Sequence, residues 1–336
     1  ATVPQSRLAD YPAATLHGQS NYSPPGSKCN YRQLIRHGKP ATRCEITRLA
    51  NKVAIVTGAG TRSANISGVG VATAKLFASH GAKVLIVDMN EEAANTTKQI
   101  IEEAGGEAST FIADVVQESA CEALVKAAVE RYGRLDILMN SVGIGGPGAA
   151  PDVTQDSWNR VMDVDLKSMV FISKYAIPEM IKTDGGSIIN VASVDGIRAA
   201  MTKNVPYAAA KGGMIAATRA MAVHHGRENV RVNCIAPGMI YTSMVEYVDD
   251  KKRKLRRDIA PLGTEGKAED IAMAATFLLN DRIELLCGSL HSGSNSPRGP
   301  SITARNLISE SVLTAASSSK KRCATRVGRS ARRVDF

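Results

Sequence analysis

"TGAGTRSANISGVG", residues 57–70, follows the apolar run Val53-Ala54-Ile55-Val56 and precedes a helical pattern from Val71. A strand, a glycine turn and a helix in that order make a phosphate cradle, because glycines let backbone N–H groups approach a pyrophosphate. Such turns are normally tight. Here the glycines form two pairs, Gly58/Gly60 and Gly68/Gly70, with seven other residues between them. The stretch alone fits a nucleotide loop with an insertion, a different motif, or a broken one.

Downstream the pattern alternates short apolar runs with longer amphipathic ones. Strands are expected at 53–57, 83–87, 109–112, 135–139, 187–191 and 230–235. Helices are expected at 69–80, 91–104, 117–131, 153–182 (with a break), 206–225 and 267–279. Strands separated by helices of this length indicate βαβ units. The fold expected is α/β, a doubly wound parallel sheet (Rossmann fold) in one domain over 48–285. It is flanked by an extension at 1–47 and a Ser/Arg-rich tail at 286–336, both read as disordered and basic.

The charge agrees with that division. The net +10 comes from the ends: residues 1–50 carry seven Lys/Arg against two acids, and 287–336 carry nine against two. That leaves 26 basic and 28 acidic residues in 51–286, a near-neutral enzyme or binding domain. Basic ends attract nucleic acid or anionic membrane, but no aromatic platform or recognition motif accompanies them, so neither partner is expected. No run of 18 apolar residues exists to span a bilayer. The six cysteines show no metal-like spacing, so no metal is expected and a reducing, cytoplasmic setting is. The acid-poor N-terminal extension resembles a mitochondrial leader, yet its five prolines oppose the helix a leader uses.

Asp88 closes the second strand, eighteen residues after Gly70. A carboxylate there accepts hydrogen bonds from both ribose hydroxyls and repels a 2′-phosphate, which favours NAD. Arg62 argues the other way, since a guanidinium in the loop could pair with that phosphate, so NADP stays open. "GSIINVAS" ends a strand at Ser193, and fourteen residues later comes "YAAAK", Tyr207 to Lys211. Positions i and i+4 share a helix face, so the Lys211 ammonium can stabilise a Tyr207 phenolate and let the tyrosine act as acid or base. Ser193, at a strand's carboxyl end, can hydrogen-bond the same substrate oxygen.

With these residues the chain resembles the short-chain dehydrogenase/reductase family over roughly residues 48–280. The family's TGxxxGxG stands as Thr57, Gly58, Gly68 and Gly70, with six residues inserted after Thr61. "ADV" supplies Asp114 and Val115 near the adenine. "LDILMNSVG" keeps Asn140 and Gly143 of a NNAG motif. "RVNCIAPGMIYT" gives Asn233, Pro237, Gly238, Ile240 and Thr242, where the resemblance implies that the Ile240 backbone and Thr242 hold the nicotinamide carboxamide. It implies hydride transfer between NAD(P) and a secondary alcohol or ketone, with Tyr207 moving the proton, Lys211 binding the ribose and Ser193 orienting the substrate. Where the family has a water-holding asparagine, this chain has Asp165, whose charge would favour the ammonium form of Lys211 and alter the proton relay. It also implies a homodimer or homotetramer, weakened if the family's last edge strand is missing. Only Ile283 to Cys287 looks able to replace that strand.

A non-catalytic nucleotide-binding scaffold is the competing reading, with the stretched loop and Asp165 as its support. Against it, Ser193, Tyr207 and Lys211 occur together, which a scaffold has no physical need to keep. The lid, about 239–262, mixes apolar residues with the run "DDKKRKLRRD", read as a solvated helix face, and leaves the substrate unnamed. The resemblance extends to microbial members acting on cyclic alcohols, sugars or secondary metabolites. The downstream register also answers the loop. Were Ser63 the third loop position, Gly68 and Gly70 would lie inside a helix at a cost of roughly 1 kcal/mol each. Arg62 to Ser67 are therefore expected to bulge beside the ribose, with Arg62 and Asn65 able to reach cofactor phosphate.

Overall fold

Valine and isoleucine runs with no polar alternation make strands covered on both faces. In the computed structural model, β1 (Val53–Thr57) is such a strand, buried at all five residues. The structure describes residues 48–63, 65–198, 202–260, 262–279 and 290–292. Along β1 side chains alternate between two cores. Ala54 and Val56 join Phe77, Ile86, Ile101, Ile271 and Leu278 on one face. Ile55 joins Leu85, Leu124, Leu138, Ile172 and Met180 on the other.

The first core is covered by α1 (Val69–Ser79), α2 (Glu91–Glu103) and α8 (Ala268–Leu278). The second is covered by α3 (Glu118–Tyr132) and α5 (Ser168–Lys182). Between them lie β2 (Lys83–Asp88), β3 (Glu107–Ile112), β4 (Ile137–Asn140), β5 (Gly186–Val191) and β6 (Val230–Ala236). The long helix α6 (Val205–His225) joins β5 to β6. The sheet order is β3-β2-β1-β4-β5-β6, all parallel, continued by β9 (Leu290–Ser292). This is the doubly wound fold expected. Its direction of winding reverses between β1 and β4, which opens a crevice at their carboxyl ends, where ligands bind in such sheets. Thr57 and Ser141 meet there, the Ser141 N–H donating to Thr57 Oγ1 at 3.0 Å.

Two differences from the sequence reading bear on the site. The helix expected over 153–182 is α4 (Gln155–Val161) and α5 joined by a π-helical turn, Met162–Lys167. That turn rotates Asp165 to a fully buried position, and such wide turns recur at functional sites. An edge strand is also present at Leu290–Ser292, pairing with Cys234, Ile235 and Ala236 of β6. It falls inside the segment read as tail, so the sheet reaches past 285. Residues 283–287, the extension 1–47 and the rest of the tail lie outside the described residues. Among the described residues no helix is long and apolar enough to cross a membrane. Cys121 and Cys234 are free and buried, and burial pushes both thiols up to about 11, which leaves them inert as nucleophiles at neutral pH.

Candidate active site

The glycine turn leaves β1 and delivers the chain to α1. Gly68 occupies the N-cap of α1, with no side-chain cap and no acid in the first turn. By contrast, α2 is capped by Asn90, which accepts from the Ala93 N–H at 2.8 Å, and opens with Glu91 and Glu92. The first N–H groups of α1 are therefore left for an anion. Gly70 packs so tightly on the turn that a Cβ would stand 2.3 Å from the Gly58 carbonyl oxygen. Gly60 reaches Asp88: its N–H donates to Asp88 Oδ2 at 2.9 Å. An uncapped helix start, a backbone cradle closed to side chains and a carboxylate at the end of β2 fit a dinucleotide.

The helix starts at Val69, so the glycines lie in the register with residues 62–67 inserted. The insertion is not idle. Arg62 donates to Asp88 Oδ1 at 2.6 Å, and the Asn90 N–H donates to the same oxygen at 3.1 Å. Ser63 Oγ donates to Glu246 in the lid at 3.1 Å. Arg62 therefore sits on the carboxylate a ribose would use. Asp114 follows β3 exposed, and its Oδ1 accepts from the Val116 N–H at 3.1 Å, while Val115 beside it is buried.

At the other end of the crevice four chain segments converge on the Lys211 ammonium. It donates to the Val191 carbonyl at 3.1 Å, two residues before Ser193. It lies 3.2 Å from Asp165 Oδ2 and 5.5 Å from the centre of the Tyr207 ring. Gly143 closes the fourth side, since a Cβ there would stand 3.1 Å from Lys211 Nζ. The Lys211 and Asp165 side chains are 4% and 0% exposed, so the pair is shielded from solvent. Asp165 Oδ1 accepts from the Ile144 N–H at 2.8 Å. Its Oδ2 has the ion pair but no well-aligned hydrogen bond. Burial pushes the Asp165 carboxyl above the usual carboxylate range, against the opposing pull of Lys211 and the Ile144 N–H. Ser193 Oγ accepts from the Asp195 N–H at 3.1 Å, which keeps the hydroxyl proton available to donate.

Asn140 sits at the end of β4. It is buried in the sheet, donating to Asn190 Oδ1 at 2.8 Å, and Asn190 in turn donates to Thr218 Oγ1 at 2.9 Å. Pro237 and Gly238 follow β6, and the Pro237 carbonyl accepts from the Val194 N–H at 3.1 Å, which ties this segment to the Ser193 turn. Ile240 lies in β7 (Ile240–Tyr241), paired with β8 (Gly266–Lys267). Its carbonyl is taken by Arg256 at 2.8 Å, while Thr242 is buried behind it.

Arg256 belongs to α7 (Asp250–Ile259), the run read as a solvated face. That reading is corrected in part: Arg253 and Arg256 bind Glu265 at 3.2 and 2.6 Å, and the Glu265 side chain is 4% exposed. Arg253 also stacks on Tyr241 at 3.6 Å. The i,i+3 spacing of these arginines was the available signal.

The family model described as enoyl-(acyl carrier protein) reductase matches residues 63–292. A curated relative, the 3-oxoacyl-[acyl-carrier-protein] reductase FabG of Chlamydia muridarum, is 37% identical over 243 residues, 72% of this chain and 95% of that protein. A solved structure from Burkholderia xenovorans, assigned to the short-chain dehydrogenases/reductases, is 37% identical with a TM-score of 0.70, covering 74% of this chain and 96% of that one. A 7α-hydroxysteroid dehydrogenase complexed with NADH and 7-oxo glycochenodeoxycholic acid is 32% identical with a TM-score of 0.69, covering 74% and 95%.

Proposed function

This chain belongs to the short-chain dehydrogenase/reductase family and is an NAD(P)-dependent oxidoreductase acting on CH–OH donors, and from that premise we propose which of its residues do the work. Tyr207 exchanges a proton with the oxygen of a secondary alcohol or ketone. Lys211, fixed by Val191 and Asp165, stabilises the phenolate and holds the nicotinamide ribose. Ser193 donates its free proton to the same substrate oxygen and supports the charge that develops there. The bound nicotinamide supplies or accepts the hydride. The observation that carries this reading is the Lys211 ammonium, 3.1 Å from the Val191 carbonyl and 5.5 Å from the Tyr207 ring. It joins the end of β5, two residues before Ser193, to the helix face bearing the proposed acid–base tyrosine.

We further propose NAD as the preferred cofactor. Asp88 is 4% exposed, and its charge would face a 2′-phosphate directly. The Arg62 side chain is 55% exposed, so its pair with Asp88 is screened and readily displaced by a ribose hydroxyl. Pro237, Gly238, Ile240 and Thr242 line the nicotinamide side in this proposal, and Asp114 and Val115 the adenine side. The substrate is a small alcohol or ketone, and the enzyme works as a cytoplasmic homodimer or homotetramer. The relatives named above are a 3-oxoacyl-[acyl-carrier-protein] reductase and a 7α-hydroxysteroid dehydrogenase, and we propose that this chain's own lid sets the class of ketone it takes.

Titration with NADH and NADPH, followed by a panel of ketones and secondary alcohols, tests the proposal. Tight binding of NADH with turnover of at least one ketone is expected. Binding of neither cofactor would defeat it.

A further inference from the structure

Ser193 is oriented by a chain of contacts that begins at the start of the catalytic helix. Its Oγ accepts from the Asp195 N–H at 3.1 Å. The Asp195 carboxylate in turn accepts from Asn204 Nδ2 at 2.9 Å. Asn204 holds the N-cap position of α6, yet its side chain does not cap that helix. An N-cap asparagine ordinarily accepts from an N–H of the first turn, to the helix's benefit. Here, three residues before Tyr207, the Asn204 amide is diverted to Asp195.

The same point anchors the loop that follows β4. The Gly148 N–H donates to the Lys203 carbonyl and the Val205 N–H donates to the Gly148 carbonyl, both at 3.0 Å. The Ser193 turn is also seated directly on the α6 backbone: a Cβ at Gly196 would stand 2.6 Å from the Lys211 carbonyl carbon. Three segments that carry the site therefore meet at Asn204: the post-β4 loop, the Ser193 turn and the first turn of α6.

We propose that Asn204 and Asp195 are positioning residues that aim the Ser193 hydroxyl at the oxygen shared with Tyr207. Asn204 fixes the Asp195 carboxylate, and the fixed Asp195 presents its N–H to Ser193 Oγ. The inference rests on the reading of Ser193 and Tyr207 as the pair that meets the substrate oxygen.

The test separates positioning from packing. Asn204→Ala should lower kcat by about tenfold or more, since small errors of alignment are costly in rate, while NADH affinity stays within about twofold. Asp195→Asn should keep near-wild-type kcat, because an amide oxygen still accepts from Asn204. Asn204→Asp should lose activity by opposing two carboxylates, and the swap Asp195→Asn with Asn204→Asp should restore it. In a Ser193→Ala background, Asn204→Ala should add less than about a twofold further loss, as expected when one residue acts only through the other. Losses that multiply in that background would overturn the proposal, as would an Asn204→Ala enzyme with unchanged kcat. Hydrogen exchange at the Asp195 amide supplies a readout that needs no substrate. It should accelerate in Asn204→Ala and stay at the wild-type rate in Asp195→Asn, and equal rates in all three proteins would overturn the link even if no substrate were turned over.

Discussion

Lys211 Nζ lies 3.2 Å from Asp165 Oδ2, with both side chains almost wholly removed from solvent. A neutral asparagine at 165 would accept the same Ile144 N–H but would place no charge beside the ammonium. In the proposed mechanism the ion pair would give the proton path an ionisation of its own, because burial raises the Asp165 carboxyl. Lys211 on α6 and the Ile144 N–H of the post-β4 loop both face this carboxylate, and the Tyr207 ring centre lies 5.5 Å from the Lys211 ammonium.

Asp165→Asn should therefore stay active with an altered pH profile. The acid limb of wild-type kcat/KM should lie at higher pH than that of the variant, and superimposable curves would contradict this. Stability carries the same sign. A carboxyl raised above its unfolded value of 3.8 holds its proton more tightly in the native state, so its contribution is largest at low pH and declines as pH rises through and above that value. Thermal midpoints measured from pH 4 to pH 7 should shift in favour of Asp165→Asn. Asp165→Ala, which strands a buried ammonium and the Ile144 N–H, should cost about 3–5 kcal/mol.

Arg62 donates to Asp88 Oδ1 at 2.6 Å, and in the proposed site it would compete with the cofactor ribose for that oxygen. Removing Arg62 frees an acceptor worth about 1 kcal/mol or more to a ribose hydroxyl. Arg62→Ala should tighten NAD binding by about 3- to 10-fold and weaken NADP binding by about 10-fold, since the phosphate loses its charge-assisted partner. Cofactor titrations check both directions, and parallel changes for the two cofactors would contradict the assignment. Deleting 62–67 should likewise preserve or tighten NAD binding. It also removes the Ser63–Glu246 contact, and complete loss of binding would show the insertion to be part of the site.

Glu265 holds the lid by gathering Arg253 and Arg256 and, through Arg256, the Ile240 carbonyl. Glu265→Ala should leave those arginines unpaired, lower the stability by about 3 kcal/mol as loss of a buried partner does, and raise the cofactor KM more than it lowers kcat. Thermal unfolding and steady-state kinetics read the two effects.

Much of this fold is legible in the residues because it follows from burial. Runs such as Val53 to Val56 and Lys83 to Val87 announce strands covered on both faces, and the amphipathic segments between them announce the crossovers. Tyr207 and Lys211 are readable as a pair because four residues return to one helix face. What stayed hidden depends on departures from regular periods or on distant partners. The π turn that buries Asp165 keeps the composition of a plain helix. The edge strand Leu290–Ser292 is three residues long and sits in a serine-rich segment, where no apolar run marks it. The bond from Asn140 to Asn190 fifty residues away is a pairing fixed only by strand register. Asn204 and Asp195 have no motif, and only the folded turn brings them together.

The central claim is that Tyr207 moves the substrate proton, and its removal without disturbing the cofactor site is the most direct test. Steady-state turnover of the best ketone and direct titration of NADH should be compared for wild type and Tyr207→Phe. The account predicts a fall in kcat of about 10²- to 10⁴-fold with NADH affinity within about twofold. Wild-type turnover by Tyr207→Phe would contradict it.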